Sequence, residues 1–78
     1  MTIQEFDTIL LTGTVDCGTP KTFRVERLLC MVSLPPNKDG RFKVWPEEDD
    51  DPQIPPECDG KIYGNVADCK LEIIEAGK

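Results

Sequence analysis

Apolar and polar residues alternate along this chain with a period of two, and the alternation changes phase twice. From Thr8 to Cys17, the residues Ile9, Leu11, Val15 and Cys17 fall on one parity. Thr8, Thr12, Thr14 and Asp16 fall on the other, with Leu10 the exception. A period of two sends successive side chains to opposite faces of an extended strand, so one face can be buried. The run ends at Cys17-Gly18-Thr19-Pro20, a turn composition.

A second run covers Lys21 to Leu34. Phe23 and Val25 share one parity, and Leu28, Cys30, Val32 and Leu34 share the other. The flip lies at Glu26-Arg27. A β-bulge there restores a single buried face and bends the strand, as at the corners of small barrels. A short helix over Arg24 to Met31 is the competing reading. Pro35-Pro36-Asn37-Lys38-Asp39-Gly40 then marks a turn. A short strand follows over Arg41 to Trp45, stopped by Pro46. After a turn at Asp59-Gly60, Lys61 to Ile74 reads as one long strand or two short ones. Ile62, Gly64 and Val66 differ in parity from Cys69, Leu71 and Ile73, which puts a second flip near Ala67.

These signals predict an all-β fold: a small, five-stranded, mostly antiparallel, partly closed barrel or sandwich, OB-like or SH3-like, with one long acidic, Pro-rich loop. At 78 residues the chain has room for one domain, 1–78, with the loop at 46–60 inside it. The expected core is Ile9, Leu11, Val15, Phe23, Val25, Leu29 or its neighbour Cys30, Val32, Phe42, Val44, Leu71 and Ile73. The segment Gly13-Thr14-Val15, followed after a turn by Phe23-Arg24-Val25-Glu26, resembles the first hairpin of the OB-type barrel in bacterial translation initiation factor one. The resemblance implies an OB-like barrel. It carries no ribosome binding over, because that family is rich in basic residues for RNA and this chain has an acidic loop instead.

Charge is distributed as unevenly as hydropathy. Glu47, Glu48, Asp49, Asp50, Asp51, Glu57 and Asp59 supply seven of the fifteen acids, with no Lys or Arg among them. The rest of the chain is close to neutral, so the formal charge of -6 belongs to this one loop. In an extended chain, residues two apart lie about 6.6 Å from one another. A run of carboxylates then presents a row of charge on the scale of a nucleic-acid backbone. Pro46, Pro52, Pro55 and Pro56 stiffen the row, and Trp45 and Ile54 add apolar anchors beside it. A solvated, solubilising loop explains the same composition. A calcium site fits less well, because the spaced D-x-D-x-D-G order with a distal Glu is missing.

Several chemistries are disfavoured. There is no histidine, which removes the commonest general base and the Ser-His-Asp and Cys-His constellations. Cys17, Cys30, Cys58 and Cys69 lack the close C-x(2–4)-C pair of structural zinc. No phosphate-binding Gly-rich loop is present. The expectation is therefore no enzyme, no metal and no cofactor. Lys21, Arg24, Arg27, Arg41 and Lys43 form at most a modest basic face, which solvated strand exteriors paired with neighbouring acids explain as well. Direct nucleic-acid binding is accordingly not expected. No apolar run suits a membrane span, and the N-terminus lacks the pattern of a signal peptide, so the reading is cytoplasmic with reduced cysteines. Were the thiols oxidised, Cys17–Cys30 would be the first candidate pair, across the first hairpin.

The function expected from these features is protein binding. The specific form is a small inhibitor, of the type found in phages and mobile elements, whose acidic loop occupies a Lys/Arg-rich nucleic-acid-binding surface by charge mimicry. Trp45, Glu47, Glu48, Asp49, Asp50, Asp51, Ile54, Glu57 and Asp59 are the expected contact residues. The alternative is an OB-like module that binds nucleic acid, or assembles in a larger complex, through its barrel face.

Overall fold

The computed structural model describes residues 3–48 and 50–77. Four strands form: β1 (Thr8–Asp16), β2 (Thr22–Leu34), β3 (Arg41–Pro46) and β4 (Ile62–Glu75). Each is antiparallel to its neighbours in the order β1-β2-β3-β4, and β4 returns to β1 to close a barrel. The strand count is four rather than five because Lys61 to Ile74 is a single bent strand. A bulge turned it without breaking it. Among the described residues no helix is long and apolar enough to cross a membrane.

Both phase changes are bulges. Leu11 pairs with Leu28 and Gly13 with Val25, so Glu26 and Arg27 share the space opposite Thr12. Arg27 takes φ 48°, and its backbone N–H donates to Thr12 Oγ1 at 3.0 Å. That bond replaces a ladder bond lost at the bulge, and the helical reading of Arg24 to Met31 is displaced by a continuous strand. On β4, Gly13 pairs with Cys69 while Val15 pairs with Gly64, so Asn65 to Asp68 swell out opposite Thr14. Gly13 permits this: a Cβ there would meet the Asp68 carbonyl and lie 2.8 Å from Cys69 Cα. The swelling is tied to the β2–β3 turn. Val66 N–H donates to Gly40 O at 2.9 Å, and the Asn65 amide donates to Asp39 O at 2.9 Å.

The barrel interior holds Ile9, Leu11, Val15, Val25, Leu28, Cys30, Val32, Phe42, Val44 and Ile62. Phe42 fits because it lies against Gly64; a Cβ at Gly64 would come within 2.9 Å of its ring. Of the expected core, Phe23, Leu71 and Ile73 are only half-buried, and of the pair Leu29/Cys30 it is Cys30 that points inward. Leu28 and Ile62 are buried although the expected core omitted them, and so is Ile3. The N-terminal segment folds over one barrel mouth: Phe6 N–H donates to Val32 O at 2.8 Å and Val32 N–H to Asp7 O at 2.9 Å. The buried Asp7 carboxylate accepts from the backbone N–H of Gln4 and of Gly77, both at 2.8 Å, and so ties the two ends of the chain together.

β3 is the short strand. It covers β2 only from Cys30 to Leu34 and β4 only from Ile62 to Asn65. Thr22–Leu29 of β2 and Val66–Glu75 of β4 therefore overhang it on opposite sides.

Candidate protein-binding site

The acidic segment leaves β3 at Trp45-Pro46 and fills the gap beside the β2 overhang. Glu47 N–H continues the ladder for one more bond, to Leu29 O at 3.0 Å. Gln53 then behaves as a substitute strand. Its Oε1 accepts from Glu26 N–H at 2.6 Å and its Nε2 donates to Glu26 O at 3.0 Å. The two bonds satisfy both polar groups of one backbone unit at the bulge that β3 is too short to reach. Ile54 packs against the core, and Cys58 is buried and joined to Cys17 by a disulfide with a Cα–Cα distance of 5.0 Å.

Several expectations for this loop are corrected. The loop is not an extended row of charge. It is a series of tight turns: Asp51 N–H donates to Glu48 O, Ile54 N–H to Asp51 O, and a 3-10 turn spans Pro56–Cys58. Backbone turn bonds coil it, with one bond of Asx type among them. Asp51 is drawn into that framework, its carboxylate accepting from Gln53 N–H at 2.9 Å. Ile54 is half-buried against the core, so only part of its side chain is left for a partner. The cysteines are not all free: Cys17 pairs with Cys58, and Cys30 faces the core from β2 opposite Ile9 instead of facing Cys17.

The other expected contact residues remain available. Glu47, Glu48, Asp50, Glu57 and Asp59 are exposed, while Asp49 lies outside the described residues. Asp59 adopts a left-handed conformation, φ 54° and ψ 39°, that closes the 3-10 turn. Trp45 is 41% exposed on the outer face of β3. Beside it Lys43 lies 5.9 Å from the ring centres of both Trp45 and Tyr63, and the Arg41 guanidinium is 5.0 Å from the Tyr63 ring. Sequence reasoning missed Tyr63, and the signal for it was its even spacing from Asn65 on a strand whose odd and even faces had been assigned by apolar residues alone.

Two of the five basic residues of the modest face are held in ion pairs. Arg41 makes a two-pronged bond to the Asp16 carboxylate, at 3.1 and 2.9 Å. Arg24 pairs with Glu26 at 2.8 Å on the surface. Burial of Asp16 would raise its pKa, but the Arg41 hydrogen bond, the Gly18 N–H and the Arg41 charge together hold it below the usual carboxylate range. Arg41 is raised in turn, chiefly by its hydrogen bond to Asp16.

The free thiols are poorly suited to nucleophilic work. Burial, with the nearby Glu47 charge adding to it, pushes Cys30 up to about 12. Burial likewise raises Cys69. Both stay protonated near neutral pH, and it is the thiolate that attacks. Asn37 and Asp39, which resemble a fragment of a calcium loop, serve a turn: Asn37 Oδ1 accepts from the N–H of Asp39 and of Arg41 at 2.9 and 3.0 Å. Among the described residues no three acids or thiols converge as metal ligands. No family model, no curated protein and no solved structure matches this chain.

Proposed function

We propose that this chain is a non-enzymatic protein-binding module whose acidic loop meets a Lys/Arg-rich surface. In its specific form the loop occupies a partner's nucleic-acid-binding surface, in the manner of small inhibitors of phages and mobile elements. One observation supports it most. The loop is held from inside by Gln53, Ile54 and Cys58, while Glu47, Glu48, Asp50, Glu57 and Asp59 stay in solvent. The framework that closes the seam beside β2 also fixes where these five carboxylates stand. Fixing like charges before binding lowers the ordering entropy lost on docking and presents a defined field to a basic partner. Trp45 at the loop's start adds exposed aromatic area beside the charges.

A second reading draws on the β3–β4 exterior, where Lys43 lies between Trp45 and Tyr63. Aromatic rings flanked by cations suit stacked bases, as on an OB-like nucleic-acid platform. The overall charge of -6 opposes it.

Trp45 is the sole tryptophan, so its fluorescence reports on either face. The experiment titrates the protein with a Lys/Arg-rich peptide and, separately, with a single-stranded oligonucleotide, at rising salt. The first reading requires peptide binding that weakens with salt and is lost when Glu47, Glu48, Asp49, Asp50 and Asp51 become Gln or Asn. Oligonucleotide binding with unchanged affinity in that variant would replace it with the second. The cytoplasmic setting is part of the inhibitor reading. The Cys17–Cys58 bridge opposes it, because cytosolic thiols are kept reduced.

A further inference from the structure

The β4 overhang is an open sheet edge, and its charge pattern selects what pairs with it. β4 pairs with β1 on one side as far as Glu75, whereas β3 reaches only Asn65 on the other. Among the described residues no backbone group pairs with that second side from Ala67 to Glu75. The edge is not uniform. The swelling at Asn65 to Asp68 interrupts it at one end. At the other end Thr8 pairs with Glu75 but Ile9 with Ile73, which leaves an extra residue at Ile74. Between the two irregularities, Cys69 to Ile73 match Gly13 to Ile9 one for one. The regular stretch is therefore five residues long and centred on Leu71.

We propose that this edge pairs antiparallel with the same edge of a second copy of the chain, about a two-fold axis at Leu71. Unpaired edges are templates for strand addition, and proteins restrict them with bulges and charges. Here the charges discriminate. Lys70 and Glu72 are exposed, flank Leu71 symmetrically and make no ion pair among the described residues. In the register centred on Leu71, Lys70 of each copy faces Glu72 of the other, twice across the axis. Sliding by two residues one way sets Lys70 against Lys70, and the other way Glu72 against Glu72. Opposite charges directly across an antiparallel pair stabilise it and like charges oppose it, so one register stands out. The same register places half-buried Leu71 against its copy, and Cys69 against Ile73, extending the inner face across the axis. A closed two-fold contact of this kind stops at a dimer.

Sedimentation velocity on the full chain tests this from about 10 μM to about 1 mM, the range in which a short edge contact forms. A dimer that grows with concentration is expected. Lys70→Glu or Glu72→Lys alone turns both charge pairs repulsive and weakens association by about fourfold or more. The double variant, Lys70→Glu with Glu72→Lys, restores the pairs and the dimer. Both side chains are exposed, and circular dichroism verifies that each variant folds. A native chain that stays monomeric up to the highest concentration overturns the proposal and leaves the edge to a strand of another protein. A dimer indifferent to the single exchanges, or not restored by the double one, also overturns it.

Discussion

The two overhangs beside β3 have the same origin and opposite fates. β2 and β4 each outrun a six-residue neighbour, so each exposes an edge that β3 leaves unpaired. On β2 the chain itself returns: Gln53 takes both backbone groups of Glu26, Ile54 packs half-buried against the core and Cys58 is bonded to Cys17. On β4 the described residues supply a half-buried inner face, Cys69, Leu71 and Ile73, and a cover at the barrel mouth from Ile3, but no ladder. A barrel of four strands can therefore be closed by side-chain mimicry of a strand at one seam and left open at the other. The acidic segment is then a structural closure first, and its charges ride on it.

Four measurements would break or sharpen this contrast. The largest effect is expected from the disulfide. It spans a sequence separation of 41, for which loop-closure entropy amounts to about 4 kcal/mol. Urea unfolding with and without reductant should show a loss of this order, and thiol titration of the denatured, non-reduced protein should find two free thiols, Cys30 and Cys69. Four free thiols would remove the covalent part of the closure.

Ile54→Ala comes next. Its half-buried side chain supports a loss of about 1–3 kcal/mol, below that of a fully buried isoleucine. A melting temperature equal to that of the native chain would show the loop to be detached from the barrel.

The Asp16–Arg41 pair tethers the end of β1, beside the bridged Cys17, to the start of β3. Because the folded Asp16 pKa is depressed, its contribution is present above the unfolded carboxylate value and is lost as pH falls through the lower, folded value. Asp16→Asn should cost about 1 kcal/mol at neutral pH, since Arg41 is half-exposed and water screens the pair. The cost should shrink in acid. A cost that is constant with pH would assign the effect to packing instead of charge.

The smallest change is Gln53→Ala, about 1 kcal/mol for two exposed hydrogen bonds. Hydrogen exchange gives it a sharper signature. The Glu26 amide should exchange faster in the variant, while amides on the free edge of β4 should stay as they were. Unchanged Glu26 protection would show that the loop does not substitute for a strand.

Much of this architecture was legible in the alternation of residues. The parity of Ile9, Leu11 and Val15, and its reversal at Glu26-Arg27 and near Ala67, located strands and bulges, because a strand buries one face and a reversal of parity demands an extra residue. The misreadings share a cause. Ile54 sits in a stretch dominated by carboxylates and prolines, and a local reading made it a surface contact, while nothing local pairs Cys58 with Cys17. Ile3 lies before the first strand, where no periodicity exists to mark it. The Gln53 clamp has no pattern at all.

By itself the sequence determined that the chain is built of bent strands and that its net negative charge is confined to one segment. Periodicity and composition are local properties, and they act through the few residues on either side. Which gap that segment fills, which cysteine meets Cys17 and which edge is left unpaired were decided only in the tertiary structure. Those outcomes depend on the length of β3 relative to its neighbours once the barrel is closed, and that comparison exists only when distant parts of the chain lie side by side.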